Sequence, residues 1–141
     1  MIFQHTWEKV LNGEKTQTRR IVKPGDEFFP EELGDVASVM HRDYSAYRLV
    51  YEVGKIYAVQ PGRGKPAVAR IQITDIRRED VRNISNDDVR AEGYRHVRDF
   101  LHVWASMHDS TLERGTWGEH KLMERPAKRY QAWVLTFETV R

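Results

Sequence analysis

Hydrophobic spacing along the chain alternates between helical and strand periods. Phe3, Trp7, Val10 and Leu11 form one apolar stripe, which predicts an opening helix, and Gly13 after Asn12 is placed to stop it. Residues 15–22 are rich in threonine and branched side chains and predict a strand. Two more strands are predicted at 55–60 and 67–76. In the second, Ala69, Ile71 and Ile73 alternate with Arg70, Gln72 and Thr74. The glycines and prolines of 61–66 demand a turn, so these two strands form a hairpin with a basic tip. Ser85 can cap a short helix that ends at Gly93. Val97, Phe100, Leu101, Trp104 and Met107 then define an amphipathic helix. A final strand covers 130–138, with Trp133, Leu135 and Phe137 on one face and Ala132 and Val134 on the other.

Two stretches resist this reading. Residues 24–54 carry Pro24-Gly25, Pro30 and scattered tyrosines, with a strand at 47–53. Residues 108–128 read as a polar loop. No second core is visible, so one α+β domain over 1–141 is expected. Separated strands with helices between them predict a mixed, mostly antiparallel sheet curled into a small β-barrel, its open sides covered by helices.

Composition narrows the function classes. The chain has no cysteine, which excludes disulfides and thiolate zinc sites. No stretch approaches the roughly 18 apolar residues of a membrane span, and MIFQHTWEKV does not read as a signal peptide. A cytoplasmic protein is expected. Net charge is only +2 but uneven. Lys15, Arg19, Arg20 and Lys23 form an acid-free stretch, as do Lys55, Arg63, Lys65 and Arg70; Asp26, Glu27, Glu31, Glu32 and Asp35 lie between. Such segments attract phosphate, or simply form solvated faces. His5, His41, His96, His102, His108 and His120 show no HExxH or i, i+4 pairing, and no phosphate-binding glycine loop occurs, so no metal or cofactor is expected.

The most informative segment is Gly13-Glu-Lys-Thr-Gln-Thr-Arg-Arg20, at a helix-to-strand junction. On a strand Thr18 and Arg20 share a face; Lys15, three residues before Thr18, joins them only from a turn that precedes the strand. The segment resembles the signature of the ASCH family, Gly-x-Lys-x-x-(Glu or Thr)-x-Arg, matched by Gly13, Lys15, Thr18 and Arg20. The surroundings follow the same order: a preceding helix, the strand pair at 53–60 and 68–76, the turn Ala91-Glu-Gly-Tyr94, a helix with Phe100 and Trp104, and a terminal apolar strand. Residues 24–50 and 108–128 do not contribute.

This resemblance implies a barrel related to the RNA-binding PUA domains, with a cleft near the signature. Some small bacterial members are amidohydrolases that remove the acetyl group of N4-acetylcytidine with a lysine, a threonine and a glutamate; these correspond to Lys15, Thr18 and Glu92. Another class is described as ribonucleolytic. The chemistry is sound: a threonine hydroxyl needs a base, and a lysine serves once burial or neighbouring positive charge lowers its pKa. Three functions therefore stand: a binding module for RNA or a modified nucleoside, an N4-acylcytidine amidohydrolase, and a ribonuclease. Arg19, Arg20, Tyr57, Gln60, Arg63, Lys65 and Arg70 are candidate ligand contacts, and Trp117 can stack on a base or plug the barrel.

Overall fold

The structure, a computed structural model, describes residues 1–112 and 119–141, with the side chains of 119 and 120 left aside. Helix α1 (Trp7–Leu11) starts one turn later than its apolar stripe suggests. Phe3 precedes it in an extended segment, where its N–H donates to Gln60 O at 2.8 Å. Gly13 sits at φ +81°, a left-handed conformation that only glycine adopts freely, and the helix stops there. The chain then enters β1 (Gln17–Ile21).

The segment that resisted pattern reading is itself a sheet. Strands β2 (Asp26–Phe29), β3 (Ser38–Asp43) and β4 (Ala46–Glu52) form an antiparallel meander. Next comes the expected hairpin, β5 (Ile56–Val59) with β6 (Ala69–Asp80). Buried positions on β6 run Ile71, Ile73, Ile76, a break in alternation caused by a bulge between Ile73 and Asp75. Helix α2 (Asn86–Ala91) begins at Ser85, whose Oγ accepts from Asp88 N–H at 3.1 Å. Helix α3 (Val97–His108) buries Phe100, Leu101 and Trp104. A short helix α4 (Glu119–Met123) lies in the stretch read as loop, and β7 (Gln131–Val140) closes the chain.

The expected closed barrel is not formed by the described residues. Two open sheets stand in its place: β1-β7-β6-β5 and β2-β3-β4. Four strands are too few to curl shut around a packed interior. The meander instead packs on one face of the larger sheet. Trp133 of β7 is the joint: it stacks on Phe28 of β2 at 6.1 Å, and its Nε1 donates to Asp26 at 3.0 Å. Around it Val39, Ile73, Ile76 and Leu135 form a shared core. β7 feeds the neighbouring cores as well, through Phe137 beside Phe3 and Val10, and through Ala132 beside Val89, Phe100 and Trp104. That explains its nearly unbroken apolar sequence, since a central strand covered on both faces has no solvent side.

Candidate functional site

Three chain segments meet at the start of β1. Lys15 N–H donates to Lys9 O at 3.0 Å, and Thr16 N–H donates to Ala91 O at 2.8 Å. The turn after α1 is thereby clamped to the end of α2. Lys9 Nζ adds a bond to Gly93 O. Gly93 lies at φ +94°, and a β-carbon there would sit 3.1 Å from Lys9 Cδ and 3.7 Å from Lys15 Cβ. Glycine is thus required both for the backbone reversal and for the close approach.

This junction meets the geometric condition set by the spacing. β1 begins at Gln17, so Lys15 lies in the turn and reaches the cavity that Thr18 lines. Its Nζ donates to Glu92 Oε1 at 2.7 Å and to Glu92 O, also at 2.7 Å. Both residues are only 3% exposed. Burial pulls the Lys15 pKa below its ordinary value; Glu92 opposes that shift, and the charges of Arg20 and Arg19 add to it. Thr18 is buried on the same cavity, and its hydroxyl makes no hydrogen bond among the described residues.

Behind this pair stands a charge network. Arg19 donates to Glu92 Oε2 at 3.0 Å, Glu79 at 2.8 Å, Asp88 at 3.0 Å and Gln17 at 3.0 Å. Arg77 ties Glu79 and Asp88 together from the outer side, at 2.8 and 2.7 Å. Arg19 therefore fixes the Glu92 carboxylate, and each of its three guanidinium nitrogens is already engaged.

The cavity measures about 280 Å³, close to the lower end of small-molecule sites. Lys15, Thr18, Arg20 and Glu92 share its wall with Phe3, Tyr94, Phe100, Trp104 and His108. The His108 ring lies 4.4 Å from Trp104, and its pKa is lowered by burial and by the Arg20 charge. The Tyr94 hydroxyl is pushed up to about 12 by burial and by Glu92. Tyr94 and His108 were not legible as site residues. Phe100 and Trp104 read as core from their spacing, and they are both core and cavity wall.

Of the other sequence candidates, Arg19 also borders this cavity, while Tyr57, Gln60, Arg63, Lys65 and Arg70 do not. Tyr57 is half-buried between two cores and donates to Val50 O at 3.1 Å. Gln60 donates to Lys65 O at 3.1 Å, while its backbone bridges Ile2, a cavity residue. Arg63, Lys65 and Arg70 are exposed on or beside the hairpin. Trp117 lies outside the described residues. Among the described residues, no group of three His, Asp or Glu side chains could hold a metal ion, and no helix is long and apolar enough to cross a membrane.

An α+β domain with antiparallel sheets in this order belongs to a known structural class, and the fold is similar to that of an ASCH domain. No family model matches the sequence, and no curated protein matches it significantly. Among solved structures, an ASCH domain from Lactobacillus crispatus superimposes with a TM-score of 0.54 at 18% identity, covering 94% of this chain and 69% of that one. A DUF984 protein from Enterococcus faecalis superimposes with a TM-score of 0.57 at 15% identity, covering 97% of this chain and 71% of that one.

Proposed function

We propose that this chain is an ASCH-family protein that binds a modified nucleoside in the cavity and hydrolyses an amide on it, the N4-acyl group of an acylated cytidine. One observation carries the reading: a buried Lys15–Glu92 pair and the unbonded Thr18 hydroxyl face one nucleoside-sized cavity. Glu92 grips Nζ through two oxygens and so fixes where the amine points. As the free amine, Lys15 takes the Thr18 proton while Oγ bonds to the acyl carbon. The carbon–N4 bond then breaks, and Lys15 returns the proton to the departing amino group. The same amine then takes a proton from water as the water oxygen bonds to the ester carbon. The carbon–Oγ bond breaks, the acyl group leaves as the carboxylic acid, and the proton passes to Thr18 Oγ. Tyr94, Phe100 and Trp104 supply an aromatic wall suited to a base.

A polynucleotide ligand draws less support. Lys15 and Arg19 are committed to carboxylates, and Arg63, Lys65 and Arg70 do not line the cavity. The test is to incubate the protein with N4-acetylcytidine and, separately, with mixed-sequence RNA. Cytidine release with intact RNA is expected. Folded protein that releases no cytidine overturns the reading, and shortened RNA would favour a ribonuclease.

A further inference from the structure

Arg19 and Arg20 are neighbours on β1 and project to opposite faces. Their surroundings differ sharply. Carboxylates of Glu79, Asp88 and Glu92 surround Arg19. No carboxylate among the described residues pairs with Arg20. Its Nη2 donates to Ile2 O at 2.7 Å, and the guanidinium lies over the Phe3 ring at 4.9 Å. Its Nε is sealed from solvent with no partner, and Nη1 donates to nothing among the described residues. Burial works against its charge, and Tyr51 and Glu92 favour it only through space, without a salt bridge. A guanidinium held this way, partly out of water and with no carboxylate in contact, is costly unless something else meets it.

The cavity supplies the place for that partner. Arg20 lines it, and the Arg20 charge is felt by Lys15, Tyr51, His108 and the Met1 amine. Phe3 beneath the guanidinium holds its plane, which suits recognition of a flat or tetrahedral oxyanion. Thr18 lies two residues away on the same face of β1, about 7 Å along the strand. An oxyanion bound at Arg20 would therefore lie within one ligand length of the reacting hydroxyl.

We propose that Arg20 is the oxyanion-recognising residue of this cavity, so that the preferred ligand is an anionic nucleoside derivative, carrying a phosphate or a carboxylate, rather than a neutral nucleoside. The inference rests on the nucleoside reading of the site but not on its catalysis. The two sources of charge are a phosphate on the sugar and a carboxylate at the end of the acyl chain.

Calorimetry separates them. Wild-type protein is titrated with cytidine, cytidine 5′-monophosphate, N4-acetylcytidine and N4-succinylcytidine. At least one anionic ligand should bind about tenfold more tightly than its neutral counterpart, as expected for a charge-assisted contact. Arg20→Met should erase that preference, and Arg20→Lys should keep part of it. A preference for the monophosphate identifies phosphate, and one for the succinyl derivative identifies carboxylate. Equal affinity for neutral and anionic ligands in the wild type overturns the proposal, even if the variants fail to fold. An equal loss for both ligand types in folded Arg20→Met overturns it too. A wild-type preference that Arg20→Met erases, without cytidine release, would sink the hydrolytic reading alone.

Discussion

Lys15 Nζ is held by two oxygens of a single residue, the side-chain Oε1 and the backbone carbonyl of Glu92, each at 2.7 Å. Seventy-seven residues separate the partners in sequence. Arg19 holds the other carboxylate oxygen at 3.0 Å, so the position of the amine depends on the network behind it.

Lys15→Met and Glu92→Gln should therefore differ in stability while sharing a loss of activity. Glu92→Gln leaves the buried Lys15 without its counter-charge, while Arg19 keeps Glu79 and Asp88, and should destabilise by about 3–5 kcal/mol. Lys15→Met leaves Glu92 with Arg19 and should cost less. Urea unfolding checks the order, and cytidine release should vanish in both. Wild-type turnover in Lys15→Met would remove the lysine from the mechanism.

Thr18→Ala should abolish cytidine release with a stability loss of only about 1 kcal/mol, because the hydroxyl leaves no bonded partner behind. Thr18→Ser should retain measurable turnover. Since the residues act as one unit, Lys15→Ala combined with Thr18→Ala should cost scarcely more rate than either alone. Multiplying losses would show instead that the two act independently.

Lys15 binds its proton more weakly in the folded protein than in the unfolded chain, where its ordinary pKa is 10.5. Its contribution to stability therefore declines as pH falls from 10.5 through the folded value, and is constant below that. Catalysis needs the free amine, so log kcat/KM should rise with pH at a slope of about one and level off before 10.5. A pH–rate profile that falls across this range, or rises only above 10.5, contradicts the role of Lys15 as base. The part of the change in urea midpoint that lies below pH 10.5 should shrink in Lys15→Met, while the raised pKa values of Tyr57 and Tyr94 leave a separate loss of stability at higher pH.

Gly93→Ala should disturb the site without touching a reacting group. The added carbon meets Lys9 and Lys15 at 3.1 and 3.7 Å, and the φ of +94° disfavours any L side chain. A loss of about 1–3 kcal/mol is expected, with a larger effect on kcat than on KM as Lys15 shifts. Unchanged stability and kcat would show that the junction is looser than its contacts imply.

The hairpin tip should be dispensable for the nucleoside. Arg63→Ala with Lys65→Ala, both exposed and off the cavity, should leave cytidine release within about twofold of wild type, in line with distant, independent sites. If RNA is retained at all, its salt dependence should become shallower by about 1 unit per lost phosphate contact. A collapse of nucleoside turnover would place the tip at the site after all.

The sequence by itself determined the local elements: the stop at Gly13, the cap at Ser85, the β5–β6 hairpin, the α3 face and the apolar final strand. Each rests on neighbours within a few residues, where periodicity and turn chemistry act directly. It also singled out Lys15, Thr18 and Glu92, through a short motif and a matching order of elements, with the condition that Lys15 precede the strand. Tertiary structure decided the rest. The meander of 24–54 has weak local signals and is held by Trp133, more than 100 residues distant, so its refusal to close a barrel could not be read along the chain. The difference between Arg19 and Arg20 is of the same kind. Two adjacent, chemically identical side chains receive different environments because Arg19 meets the carboxylates of Glu79, Asp88 and Glu92, whereas Arg20 meets the Ile2 carbonyl, the Phe3 ring and the cavity. Electrostatic pairing depends on distance in space, and only the packing of β6, α2 and the segment before α1 around that strand sets those distances.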